Sequence, residues 1–156
     1  MQKLMTYLND HLAGSVAAIE LLSHLAESNH RMRAFFESLR KQIQEDQNVL
    51  RDLMKHIGGK ESTMKKAGAW IMEKVTRLKF QPDADDNGFV VFEALEGLAL
   101  GIQGKLALWR SLSVVGLPDG HSVDYARLEK RAVQQFEQVQ AKCLELAPAA
   151  LQARPN

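Results

Sequence analysis

The chain has 156 residues, with 20 Lys+Arg against 19 Asp+Glu and a formal net charge of +1. It therefore lacks both the basic footprint of a nucleic-acid binder and the acidic excess of a disordered tail. A chain of this length makes one domain that buries about 70% of the surface its unfolded form exposes, so neither a disulfide nor a structural metal is needed to hold it. Hydrophobic residues are 46% but aromatics only 6%, with four prolines, a balance that suits helices packed through Leu, Ala and Met.

Apolar spacing predicts helices throughout. Between Met1 and Ala26, the positions Met5, Leu8, Leu12, Ile19 and Leu22 keep the a/d rhythm of a bundle helix. The stretch from Glu27 to His30 breaks the pattern and offers Ser28 or Asn29 as a cap. A second helix starts near His30, with Met32, Phe36, Leu39, Ile43, Asp46, Leu50, Leu53 and Ile57 on an unbroken seam, and Gly58-Gly59 ends it. A shorter amphipathic helix runs from Ser62 or Thr63 to about Leu78, and Gln81 to Gly88 is the clearest break in the chain. A fourth helix extends from about Val90 to Ser113 with Phe92, Leu95, Ala99, Ile102, Leu106 and Trp109 in phase. A fifth spans about Ser122 to Leu146 on Tyr125, Leu128, Ala132, Gln135, Val139 and Leu146; Pro148 is expected to stop it, leaving a loose tail over 148–156.

Four of these helices would each be roughly 36 to 42 Å long at 1.5 Å per residue, the proportions of a four-helix bundle. The expected class is all-α: a single bundle domain over 1–147, in which two antiparallel hairpins are joined by a long crossover carrying the short helix. The lone Cys143 fits a reducing compartment, and no window approaches the ~20 apolar residues of a membrane span, so a cytoplasmic protein without a membrane partner is expected.

Charged residues are expected outside the bundle, and three polar residues interrupt the seams: Ser15, Asp46 and Gln135. A tight turn near residue 29 would bring Asp46 level with Leu12 and His11, about one turn from Ser15, forming a polar layer at mid-height. An aspartate there is costly to bury alone, so His11, Gln135 or Tyr125 is expected to partner it.

In length, helix order, crossover and polar mid-bundle layer, residues 2–146 resemble the ferritin-like superfamily, the rubrerythrin and ferritin type of four-helix bundle. The resemblance implies two irons or manganese ions held by a glutamate from each of two helices and a Glu-x-x-His pair from each of the others. The chain departs from that set. Asp46-x-x-Val49 and Gln135-x-x-Gln138 lack histidines, Ser15 stands at the glutamate position of the first helix, and only Glu93 or Glu96 in the fourth helix matches. The one Glu-x-x-His, Glu27 to His30, falls on a predicted turn. The expectation is a degenerate site with no metal; an atypical set would draw on His11, Asp46, Glu93, Glu96 and Gln135.

Two further motifs are incomplete. Asp83-x-Asp85-x-Asn87-Gly88 matches the first half of a calcium loop, but Ala94 stands where the closing glutamate belongs. Gly104-Lys105 lacks the preceding glycine and following hydroxyl of a phosphate loop. Ala94, Gly97, Gly101 and Gly104 instead form a small-residue stripe, which would receive the crossover helix or a second copy of the chain in a homodimer. These features favour a non-catalytic role, a self-associating structural or stress-type binding protein without a cofactor. An iron or manganese oxidase or storage protein is one alternative. A carrier with an apolar cavity for a small molecule beside Gly97 and Gly101 is another.

Overall fold

A computed structural model describes residues 2–58, 88–117 and 123–152. They form four helices, α1 (Gln2–Ser28), α2 (Arg33–His56), α3 (Phe89–Val115) and α4 (Tyr125–Leu151), with no strand among the described residues. The short helix expected over Ser62–Leu78 and the Asp83–Asn87 stretch lie outside them, so the described part of the fold is an all-α, four-helix arrangement.

The expected seams are the buried ones. Phe36, Leu39, Ile43, Leu50 and Leu53 on α2, and Phe92, Leu95, Ile102, Leu106 and Trp109 on α3, are all withdrawn from solvent. Residues from all four helices join one hydrophobic cluster. Each buried Leu, Ile or Phe contributes roughly 1.5–3 kcal/mol relative to an exposed one, so one core holds both hairpins together.

The helix ends follow local chemistry. Asn29 Oδ1 accepts from Met32 N at 3.1 Å, capping the turn before α2. Gly58 takes φ +73° just beyond α2, the left-handed conformation that glycine adopts without steric penalty. Asp124 Oδ1 caps α4 by accepting from Arg127 N at 3.0 Å. Pro148 does not stop α4, which continues to Leu151. The backbone bond that proline forfeits would have gone to the carbonyl of Leu144, an exposed residue whose carbonyl water can satisfy, and Gln152 N closes the last turn onto Pro148 O at 3.3 Å.

Side-chain contacts fix the helix directions. Gln47 of α2 meets Ser15 of α1 across the turn at 29–32, so this first pair is antiparallel. On α3 and α4, Lys105 meets Gln135 and Arg110 meets Glu129, rising along one helix while falling along the other. Between α2 and α4, Arg131 meets Glu45, while Asp52 shares a groove with Asp124. These helices are antiparallel too. It follows that α2 and α3 point the same way. With α1 also packed on α3, the helices form a ring in the order α1, α2, α4, α3.

Candidate functional site

Asp46 and Gln47 are consecutive on α2 and both are buried. Neighbouring residues of a helix point about 100° apart, so the two side chains serve different helices. Gln47 turns toward α1: its Nε2 donates to Ser15 Oγ at 2.9 Å, and its Oε1 accepts from Gln44 Nε2 and Arg51 Nη1, each at 2.8 Å. Ser15 Oγ donates in turn to Leu12 O at 2.7 Å. Every polar atom of the Gln47 carboxamide that faces α1 is thereby engaged.

Asp46, 2% exposed, turns toward α3 and α4. Its Oδ2 accepts from Lys105 Nζ at 2.5 Å and from Gln135 Nε2 at 3.2 Å. Its Oδ1 accepts from Arg131 Nε at 2.7 Å and also from Arg131 Nη2. Lys105 Nζ donates additionally to Gln135 Oε1, and Arg131 Nη1 reaches the exposed Glu45 at 2.8 Å. The side chains of Lys105 and Arg131 are only 13% and 21% exposed. Burial pulls the Lys105 pKa below its ordinary 10.5, and the adjacent Asp46 carboxylate opposes that pull.

The expected polar layer thus acquires two cations in place of a histidine. Gln135 touches Asp46, but Ser15 belongs to the Gln47 network. Neither His11 nor Tyr125 hydrogen-bonds Asp46 among the described residues. The His11 ring instead packs edge-on against Tyr7, with centroids 4.7 Å apart, and burial lowers its pKa from 6.5 while Asp10 opposes the shift. Tyr125 stands at the start of α4, well away from Gln135, and burial raises its pKa. Glu96 is exposed and Glu93 half-buried on α3. No group of three His, Cys, Asp or Glu side chains able to hold a metal occurs among the described residues.

This donor set does not suit iron or manganese. Both oxygens of Asp46 are already bonded to cationic or amide N–H groups, and an ammonium and a guanidinium repel an incoming cation. The expectation that charged residues stay outside the bundle is overturned here, because Lys105 and Arg131 are held inside by the aspartate. Their spacing carried a readable signal. Lys105 lies three residues after Ile102 and four before Trp109, and Arg131 three after Leu128 and four before Gln135, positions as inward-facing as those of the apolar seam.

Beside this cluster is a cavity of about 200 Å³ between α1, α2 and α3. Its walls are mostly apolar, including Ala18, Ile43, Leu50, Leu98, Ile102 and Leu108, and Asp10, His11, Asp46 and Lys105 border it too. Gly14, Gly101 and Gly104 all border it, and a Cβ placed on any of the three would meet nothing within 4 Å. Two members of the small-residue stripe therefore face open space, while Ala94 and Gly97 are buried. Trp109 lies on the cavity wall, 1% exposed, and its indole Nε1–H is buried without a hydrogen-bond acceptor among the described residues.

Compared with models of known protein families, with curated proteins and with solved structures, the chain finds no match. No helix among the described residues is long and apolar enough to cross a membrane.

Proposed function

We propose that this chain is a non-catalytic, ferritin-like binding protein that takes a small, largely apolar molecule into the cavity between α1, α2 and α3. The cavity carries the reading. About 200 Å³ of space with mostly apolar walls lies between three helices beside three glycines, and it opens to solvent at the exposed Gly101, where a close-packed helix interface would leave few gaps larger than a water molecule. A cavity of about 150 Å³ with apolar walls accepts a six-carbon ring, so this one has room for about eight non-hydrogen atoms. The ferritin-like connectivity is supported by the common direction of α2 and α3, which two antiparallel hairpins joined by a crossover would give. A di-metal oxidase or storage role loses support because the polar layer is filled by Lys105, Arg131 and Gln135 around a single aspartate.

The test is calorimetric titration of the full chain with toluene and 1-hexanol, beside a Gly14→Leu variant whose side chain fills the cavity. Saturable binding by the parent chain that disappears in the variant is expected. Absence of binding in both chains would refute the reading.

Self-association is a second reading, favoured by Leu100 of α3 and Leu144 of α4, which are 69% and 65% exposed on adjacent helices. Light scattering should show a dimer that Leu100→Lys dissociates; a monomeric parent chain at 100 µM, on the order of ten times a ~10 µM Kd, would exclude it.

A further inference from the structure

We propose that the outer face shared by α3 and α4 docks a basic amphipathic helix of another protein, with apolar anchors over Leu100 and Leu144 and lysines or arginines toward Glu96 and Glu137. The proposal is independent of the cavity and of what the cavity holds. α3 has two periodic faces. One is the buried seam from Phe92 to Trp109. The other carries Phe89, Glu96, Leu100, Gln103 and Arg110 at steps of seven, four, three and seven, the spacing of a helical stripe, and all five are exposed. This stripe lies on the α4 side of α3, because Arg110 meets Glu129 and the charge of Glu96 acts on Cys143. α4 continues the face with Glu137, Gln140, Leu144 and Leu151, of which only Gln140 is half-buried. Counting from the Lys105–Gln135 contact at about 1.5 Å per residue, Leu100 stands about one turn from Leu144, and Phe89 is level with Leu151.

Single exposed hydrophobics are ordinary, but a concentrated patch marks an interaction site. Seven large hydrophobics are exposed among the described residues, and five of them, Phe89, Leu100, Val114, Leu144 and Leu151, lie on this face. Charge selects what covers it. Around Leu100 and Leu144 the charged residues of the face are the half-buried Glu93 and the exposed Glu96 and Glu137. Neither Glu96 nor Glu137 forms an ion pair among the described residues. The cations of the face, Arg110 and Lys130, stand toward its other end, and Arg110 is already on Glu129 at 3.4 Å. A cationic helix therefore gains from both exposed carboxylates, whereas a second copy of this chain brings more carboxylates to the same surface. An anionic lipid surface is disfavoured for the same reason. The apolar and acidic part, from Phe89 to Gln103, spans about 21 Å, enough for about four turns of a docked helix.

The experiment is fluorescence anisotropy of the full chain with two labelled amphipathic peptides of about 18 residues. Both carry leucine along one face; lysine flanks it in one peptide and glutamate in the other. Exposed ion pairs are individually weak, so the two together should give the lysine peptide about a tenfold advantage in affinity, and high salt should shrink it. Reversing both charges, with Glu96→Lys and Glu137→Lys in one chain, should move the preference to the glutamate peptide. Leu100→Ser should weaken both peptides, and as an exposed position it leaves the core intact. Equal binding of the two peptides, a preference unmoved by the charge reversal, or affinity unaffected by Leu100→Ser would overturn the proposal. Binding of neither peptide would overturn it too; a parent chain that light scattering then shows to be dimeric would assign the face to a second copy instead.

Discussion

Replacing Asp46 by alanine should be among the most damaging single changes in the bundle, and the size of the loss follows from what each cation retains. Breaking a buried ion pair by removing one partner typically costs 3–5 kcal/mol, because the other charge stays buried and uncompensated. Arg131 escapes much of that cost: it is 21% exposed and keeps Glu45 Oε2 at 2.8 Å and the Gln42 carbonyl at 3.5 Å. Lys105 keeps only the neutral Gln135 Oε1. We therefore expect Asp46→Ala to cost about 3 kcal/mol, from the low end of that range, or about 10 °C in Tm for a domain of this size. Asp46→Leu combined with Lys105→Met removes both members of the pair and should recover much of the loss, as apolar replacements of buried ion pairs often do. Urea unfolding of the parent, Asp46→Leu, Lys105→Met and the double variant gives the coupling directly, provided m stays constant. A coupling of at least 1 kcal/mol is expected for residues in one network. A loss below about 1 kcal/mol in Asp46→Ala, or a double variant equal to the sum of its parts, would show that the pair does not anchor the bundle.

Three further outcomes test other parts of the structure. His11 has its pKa lowered from 6.5 by burial, so the unfolded chain takes up its proton first and stability falls as pH drops below 6.5; the urea midpoint should decline more steeply from pH 7 to 5 than in His11→Phe, and equal slopes would exclude it. Gly104→Ala adds a Cβ to open space inside a helix and should stabilise the protein by about 0.5–1 kcal/mol; destabilisation would mean that the face is occupied. Gly116 ends α3 at φ +62°, a left-handed conformation that costs an alanine about 1–2 kcal/mol, so Gly116→Ala should lower Tm by about 2–8 °C; an unchanged Tm would show that the turn relaxes freely.

The helices were legible in the sequence because their period is local information. The seam from Phe36 to Leu53 can be counted along the chain, and it is the buried face of α2. Asp46 stood out as a polar residue on that seam. Its partners did not, because a partner is defined by which helices become neighbours, and α2 and α4 are far apart in sequence and meet only in the assembled bundle. Lys105 and Arg131 sit on seam-compatible positions, yet a long cationic side chain on a helix is usually solvated. Only a buried carboxylate opposite them reverses that expectation. The helix runs through Pro148 against the local expectation for a related reason: the cost of a proline depends on whether the carbonyl it orphans is exposed, which the local sequence does not state.

A cavity beside Gly97 and Gly101 is one of the readings the stripe of small residues allows, and Gly101 but not Gly97 borders the one observed; the stripe by itself does not distinguish close packing from open space. What separates the two is the size of the residues opposite. Gly14 of α1 borders the same space as Gly101 and Gly104 of α3, so no side chain from any of the three positions fills the gap. The large residues on either side of the α3 glycines, Leu98, Ile102, Leu108 and Trp109, are themselves core members that line the cavity without closing it. Each glycine costs helix stability of up to about 1 kcal/mol relative to alanine, and the open volume forfeits packing that larger side chains would supply. A bundle selected for stability alone would place alanine or leucine at these positions. The Asp46 cluster next to the cavity ties α2 to α3 through Lys105 and to α4 through Arg131, so the ion pairs that anchor the bundle also link two of the three helices that border the space the glycines leave open.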